Sequence, residues 1–412
     1  MTTVQTSAGP ARHDLKVISL IGTGHFVSHF YILILPPLFP LLKAEFGVGY
    51  VALGFALAVL NTVTALTQAP VGFLVDRFGA RGILIAGLAL FSLAIGLIGV
   101  WPSYPVLLLL MVVAGLGNSV FHPADYAILA AAIDNRRMGR AFSIHTFGGY
   151  AGFALAPPVI VGLTAAFGWR TALLLAGLGG LIVAAVMLAH SGVLRADRDA
   201  GRRRTAGATA APGWRLLLSA PILMALLFFI MLAISQGGYT SFSVAAIEDL
   251  YRVDLAAASV PLTSYLVASA FGVLVGGWIA DRTRRHHQVV GACFLLVALF
   301  AAAVPLLLPS LAVVTLLFAL AGLFAGVVAP SRDMMVRAVT PAGSSGKVFG
   351  FVTTGFNIGG IAGPLLFGLV LDFGAPAHLF WAIAALSLLT LLVVWATARS
   401  TAADALHPAG GI

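Results

Sequence analysis

Ionisable side chains recur in this chain inside runs that are otherwise apolar. His25 and His29 stand four residues apart in one run without Asp, Glu, Lys or Arg, so a helix there shows both on one face. His122, Asp125 and Tyr126 stand at spacings of three and four in a second run, again on one face, next to Pro123. His145 lies in a third run, and Arg332, Asp333 and Arg337 in a fourth. An imidazole changes charge near neutral pH after small shifts in its surroundings, and an ionisable group in a membrane interior costs about 2.5–3.5 kcal/mol. Such groups can relay protons or hold a charged ligand; the plainer reading is a set of hydrogen-bonded structural residues. Asn61 and Gln68, seven residues apart, and Gln236 and Asn357 can bind a polar ligand or tie helices together. No nucleophile or metal-ligand set accompanies these residues, so neither a catalytic centre nor a metal or cofactor is expected. Cys293 is the only cysteine, which excludes an intrachain disulfide and a Cys/His zinc pattern.

The elements that must position these residues are membrane helices. The chain is 60% hydrophobic and 9% charged, with mean hydropathy +1.04, whereas soluble domains carry about 25% charged residues. Apolar stretches long enough to span a bilayer are expected near 16–42, 48–74, 83–101, 105–132, 139–166 and 169–192, then 219–246, 257–280, 289–308, 311–338, 345–373 and 377–398. The expected architecture is all-α and integral to the membrane. A six-helix bundle over residues 1–192 is joined by a basic linker, 193–216, to a second over 217–412. With both termini cytoplasmic, 19 of the 23 Lys and Arg residues fall on the cytoplasmic side. The net charge of +9 is therefore read as topology and not as nucleic-acid binding. The expected location is the plasma (inner) membrane.

The sequence also repeats itself. Gly72-Phe73-Leu74-Val75-Asp76-Arg77 returns 205 residues later as Gly277-Trp278-Ile279-Ala280-Asp281-Arg282. At an offset of 207, Pro123 matches Pro330, Gly148 matches Gly355 and Pro157 matches Pro364. Two halves in the same orientation imply a pseudo-two-fold axis along the membrane normal. The same offset lays Asp125 on Arg332, so opposite charges occupy matching places; the two could pair with each other, or Asp125 with His122 and Arg332 with Asp333. Gly148 and Gly152, with Pro157, form one stripe of small residues, and Gly359 and Gly363, with Pro364, form another. Both are expected to be packing surfaces.

The run Gly72-x-Leu74-x-Asp76-Arg77-x-Gly79-x-Arg81 resembles the loop between helices 2 and 3 of the major facilitator superfamily, departing from it at Ala80. The resemblance covers essentially the whole chain and implies the major facilitator fold and transport by alternating access. Gly117-Asn118-Ser119-Val120-Phe121-His122-Pro123, with His25 fifteen residues before Pro40, is similar to the fosmidomycin-resistance-like branch, though His29 stands where that branch is expected to carry an acid. The resemblance implies proton-coupled efflux of small organic or drug-like molecules by a monomer. The alternative is an uptake symporter or facilitator for a small anion, held by Arg332 and the histidines. By the same analogy Gly72, Asp76, Arg77, Gly79, Arg81, Asp281 and Arg282 belong to a gating latch, with Asp76 docking on the helix start near Gly346. Val348 stands where a phosphate-binding loop needs Ser or Thr, which argues against direct ATP drive.

Overall fold

The structure is a computed structural model that describes residues 8–133, 137–194, 216–308, 310–341 and 344–406, with side chains left out at 8–12, 139, 345–347 and 397–406. The linker cations Arg195, Arg198, Arg202, Arg203 and Arg204 lie outside the described residues. Among those described, all regular structure is helical and twelve spans are long and apolar enough to cross a membrane. In chain order they are span 1 (His13–Phe46), span 2 (Tyr50–Phe78), span 3 (Ala80–Val100), span 4 (Tyr104–Ala132), span 5 (Arg140–Phe167) and span 6 (Trp169–Ala189). Then follow span 7 (Ala220–Tyr251), span 8 (Leu255–Ala280), span 9 (His286–Leu307), span 10 (Leu311–Ala338), span 11 (Val348–Phe373) and span 12 (Ala377–Ala396).

Three spans are interrupted, and each has a local cause. Span 1 stops as an α-helix at Ile32, passes a 3-10 turn over Pro36–Leu38 and resumes over Phe39–Phe46. Pro36 and Pro37 have no N–H to give the Ile32 and Leu33 carbonyls, so the α-helical ladder ends there. Span 4 breaks between Asn118 and Phe121. Pro123 has no N–H to give the Ser119 carbonyl and its ring crowds that carbonyl, so the helix breaks one turn before the proline. Span 7 carries a π-turn over Gly238–Phe242, one residue too many for a regular helix.

The chain groups into two compact units. Unit 1 holds residues 1–32, 62–156 and 166–207. Its core places Leu84, Leu88 and Phe91 of span 3 with Leu107 and Met111 of span 4, all at most 2% exposed. Tyr31 donates to the Ala176 carbonyl at 2.8 Å and to Ser92 Oγ at 3.3 Å, which ties span 1 to spans 6 and 3. Unit 2 holds 33–61, 157–165 and 208–412. Its core packs Phe228 and Phe229 of span 7 with Phe294 of span 9, Val327 of span 10, Val352 of span 11 and Val394 of span 12. The repeat divides the chain at the linker, whereas the contacts carry 33–61 and 157–165 over to the second unit.

The small-residue stripes set how closely helices approach. A Cβ on Gly148 would lie 2.9 Å from the Gly22 carbonyl oxygen, and one on Gly152 would collide with that of Phe26. At matching positions a Cβ on Gly355 would lie 2.7 Å from Phe229 Cβ, and one on Gly359 would collide with Ala233. Span 5 thus runs backbone-to-backbone against span 1 in unit 1, as span 11 does against span 7 in unit 2.

Candidate functional site

Three spans of unit 1 bring their ionisable residues to one point. Asp125 on span 4 is wholly buried. Its Oδ2 lies 3.3 Å from His25 Nδ1 of span 1 and 3.8 Å from His145 Nε2 of span 5. His25 is 4% exposed and His145 2%. The His25 and His145 rings stack at 3.7 Å between centroids, and His29 lies 4.2 Å from His25. His122 completes the group at 5.6 Å from His25 and 6.5 Å from His29. His29 Nδ1 lies 3.2 Å from both Ser28 Oγ and the His25 carbonyl oxygen. Tyr126, exposed, stands 5.8 Å from the rings of both His122 and His145.

The close approach of spans 5 and 1 makes this cluster possible. A Cβ on Gly149 would lie 3.0 Å from His25 Nε2 and 3.1 Å from His29 Cδ2, so glycine there leaves the room the rings occupy. Neither Asp125 oxygen, nor His25 Nδ1, nor either ring nitrogen of His145 meets a hydrogen-bond partner of good geometry among the described residues. Buried polar groups are normally paired, so five such atoms at one point mark a site that has not been optimised for stability. His25, Asp125 and His145 also bring donor atoms within 4.8 Å of one another, near enough for a metal ion. The ring geometry does not suit one. Imidazole binds a metal in the plane of its ring, and two rings stacked at 3.7 Å with 27° between their planes point their lone pairs side by side, not at a common point.

The other predicted residues fall elsewhere. Asp125 takes His25 and His145 as neighbours within ion-pair reach, not His122. Arg332 pairs with its own neighbour, Nε donating to Asp333 Oδ1 at 2.8 Å, and its guanidinium lies 4.9 Å from the Phe229 ring and 5.2 Å from that of Phe356. Each of the two ions therefore has its partner within its own unit. Asn61 donates through Nδ2 to the Leu57 and Gly360 carbonyls, both at 3.0 Å. Gln236 lines a small apolar cavity with Ser235, Tyr239 and Tyr265. Gln68 and Asn357 are half-buried, without a hydrogen bond among the described residues. Asp76 and Asp281 are both exposed and unpaired among the described residues, while Arg81 donates to the Ser191 carbonyl at 3.3 Å and Arg282 lies over Trp278 at 4.1 Å. Two contributors were not singled out from sequence. Phe153 packs edge-on against His29 at 4.6 Å, and Asn118 donates to Thr64 Oγ1 at 3.3 Å, a turn before His122. A single sequence carries no signal for the first; the second sits within the Gly117–Pro123 motif.

The sequence profile of the Major Facilitator Superfamily matches residues 21–250 and 229–411. The chain is 25% identical over 398 residues to the Fosmidomycin resistance protein of Escherichia coli (strain K12), covering 94% of each. It is 27% identical over 361 residues to the Multi-drug resistance efflux pump PmrA of Streptococcus pneumoniae serotype 4 (strain ATCC BAA-334 / TIGR4), covering 83% of this chain and 86% of that one. Its fold is like that of a bacterial homolog to the human lysosomal transporter Spinster, in an inward-facing and occupied conformation. The TM-score is 0.79 at 16% identity, over 96% of this chain and 98% of that one. The chain belongs to the Major Facilitator Superfamily: it is a multi-pass membrane transporter of small molecules and not an enzyme.

Proposed function

We propose that this transporter is a proton-coupled exporter of small organic molecules, working by alternating access in the inner membrane with both termini cytoplasmic. The observation that carries the reading is the cluster of Asp125, His25 and His145, with His29 and His122 beside it. A carboxyl group and four imidazoles this close hold a proton as a group and not as separate sites. Burying Asp125, His25 and His145 costs free energy that packing alone does not require, and an ion that loads and leaves during the cycle gives that cost a use. Similarity to a fosmidomycin resistance protein and a multi-drug efflux pump supports export. Asp76 and Asp281, at the ends of spans 2 and 8, belong to a gate in this reading and touch no substrate.

The test is flux across a panel of small compounds in proteoliposomes, with and without an imposed pH gradient. For substrate loaded inside, acidifying the outside drives protons inward; exchange then speeds substrate loss, and cotransport slows it. A second reading, uptake of a small anion, is favoured by Arg332, whose guanidinium is held against two aromatic rings with part of its edge left open. It predicts the opposite response to the gradient.

A further inference from the structure

Span 2 begins without a cap of its own. The Gly49 carbonyl accepts the first helical hydrogen bond, from Leu53 at 3.3 Å, so Gly49 is the N-cap, and glycine has no side chain to hold the free N–H groups of the first turn. Two of these are held from span 11. Asp372 accepts from Tyr50 N–H through Oδ1 at 2.7 Å and from Val51 N–H through Oδ2 at 2.8 Å. One carboxylate closes a helix N-terminus with both oxygens, at the end where the helix dipole favours an anion.

The repeat turns this into an asymmetry. The offset of 205 that relates spans 2 and 8 lays Gly49 on Asp254. Asp254 is the N-cap of span 8 and accepts from Ala257 N–H at 2.8 Å, so span 8 is capped from within. The offset of 207 that relates spans 5 and 11 lays Asp372 on Ala165, which has no acceptor to offer. Span 2 thus takes its capping aspartate from the helix packed against it, whereas span 8 carries its own. A Cβ on Gly49 would lie 2.5 Å from Asp372 Oδ2, so glycine makes room for this cap; with alanine at 372, an aspartate at position 49 could instead serve span 2 as Asp254 serves span 8.

From this cap inward the two spans stay in close contact. A Cβ on Gly368 would lie 2.8 Å from Val51 Cα, one on Gly54 would collide with the Pro364 carbonyl, and Asn61 reaches the Gly360 carbonyl. Asp372 is the only acid in span 11, and Lys43 covers the Tyr50 ring at 4.0 Å.

We propose that Asp372 is a breakable latch that holds spans 2 and 11 together at the end of span 2 away from Asp76, and that opens once per transport cycle. A cap within span 2 would survive separation of the two helices; a cap on span 11 cannot, and its loss bares two N–H groups and a carboxylate together. Asp372 is a positioning residue: it sets which end is closed and touches no substrate. The inference rests on alternating access, not on any choice of substrate, coupling ion or direction.

The test uses the full chain in lipid without substrate or pH gradient, so its outcome is independent of the export reading. Nitroxides on Ser103→Cys, an exposed position between spans 3 and 4, and Ser310→Cys, an exposed position between spans 9 and 10, in a Cys293→Ser background, report separation by electron–electron distance, and amide exchange over Tyr50–Leu53 reports the cap. Asp372→Ala is expected to raise that exchange and to shift the distance distribution toward the longer separation by about tenfold. The double variant Gly49→Asp, Asp372→Ala supplies the cap from within span 2. It is expected to restore protection from exchange while the separation stays long. An unchanged distribution in Asp372→Ala, or a double variant that restores both protection and distance, overturns the latch and leaves Asp372 an ordinary helix cap. Should Asp372→Ala not fold, Asp372→Asn keeps one acceptor oxygen; a smaller shift in the same direction supports the latch and no shift overturns it.

Discussion

Asp125 is wholly enclosed by helices that would pack as well around an asparagine, and its nearest polar neighbours are imidazoles at 3.3 and 3.8 Å. Asp125→Asn keeps the shape and removes the titrating carboxyl. We expect a folded protein whose gradient-driven flux falls at least tenfold, about the scale of one coupling interaction, with the thermal midpoint unchanged or raised. A lower midpoint together with normal coupled flux would return the residue to a structural role. Tyr126→Phe, at the exposed edge of the cluster, should leave coupling intact and alter substrate preference, read as a changed ranking across the compound panel. Each of these residues is legible in the sequence, but their meeting is not. Spacings of three and four identify a shared face on one helix; they carry nothing about which faces of spans 1, 4 and 5 converge. Gly149 was the nearest hint, since a glycine facing two histidines makes sense only once a neighbouring helix is placed against it.

Among the elements, helices that touch backbone-to-backbone tolerate no side chain between them. Gly152 on Phe26 and Gly359 on Ala233 are repeat-mates in equivalent contacts. Gly152→Leu and Gly359→Leu should each destabilise the detergent-solubilised protein by about 2 kcal/mol, the scale of overpacking, measured as a lowered denaturation midpoint. Gly162→Leu, where a Cβ meets nothing within 4 Å, should cost little. The helices and the stripes were legible in the sequence because apolar length and four-residue spacing are local signals. The interruptions were only half legible. Pro36-Pro37 and Pro123 are visible punctuation, but the π-turn at Gly238–Phe242 contains no proline and no local pattern marks it.

At the scale of the whole molecule, the repeat gives two halves and a linker, while the contacts group residues 33–61 and 157–165 of the first half with the second. The seam from Asp372 to Asn61 accounts for much of that transfer, since it binds the first half of span 2 to span 11. No local pattern announces such a contact; it is read from a departure, an aspartate on span 11 where the repeat shows alanine. The central claim is that the buried cluster couples transport to protons. The most direct measurement is loss of preloaded substrate from proteoliposomes at an acidic outside pH, compared for the natural chain and Asp125→Asn. Acidification is expected to accelerate loss through the natural chain and to leave the variant unaffected. Equal acceleration in both would contradict it.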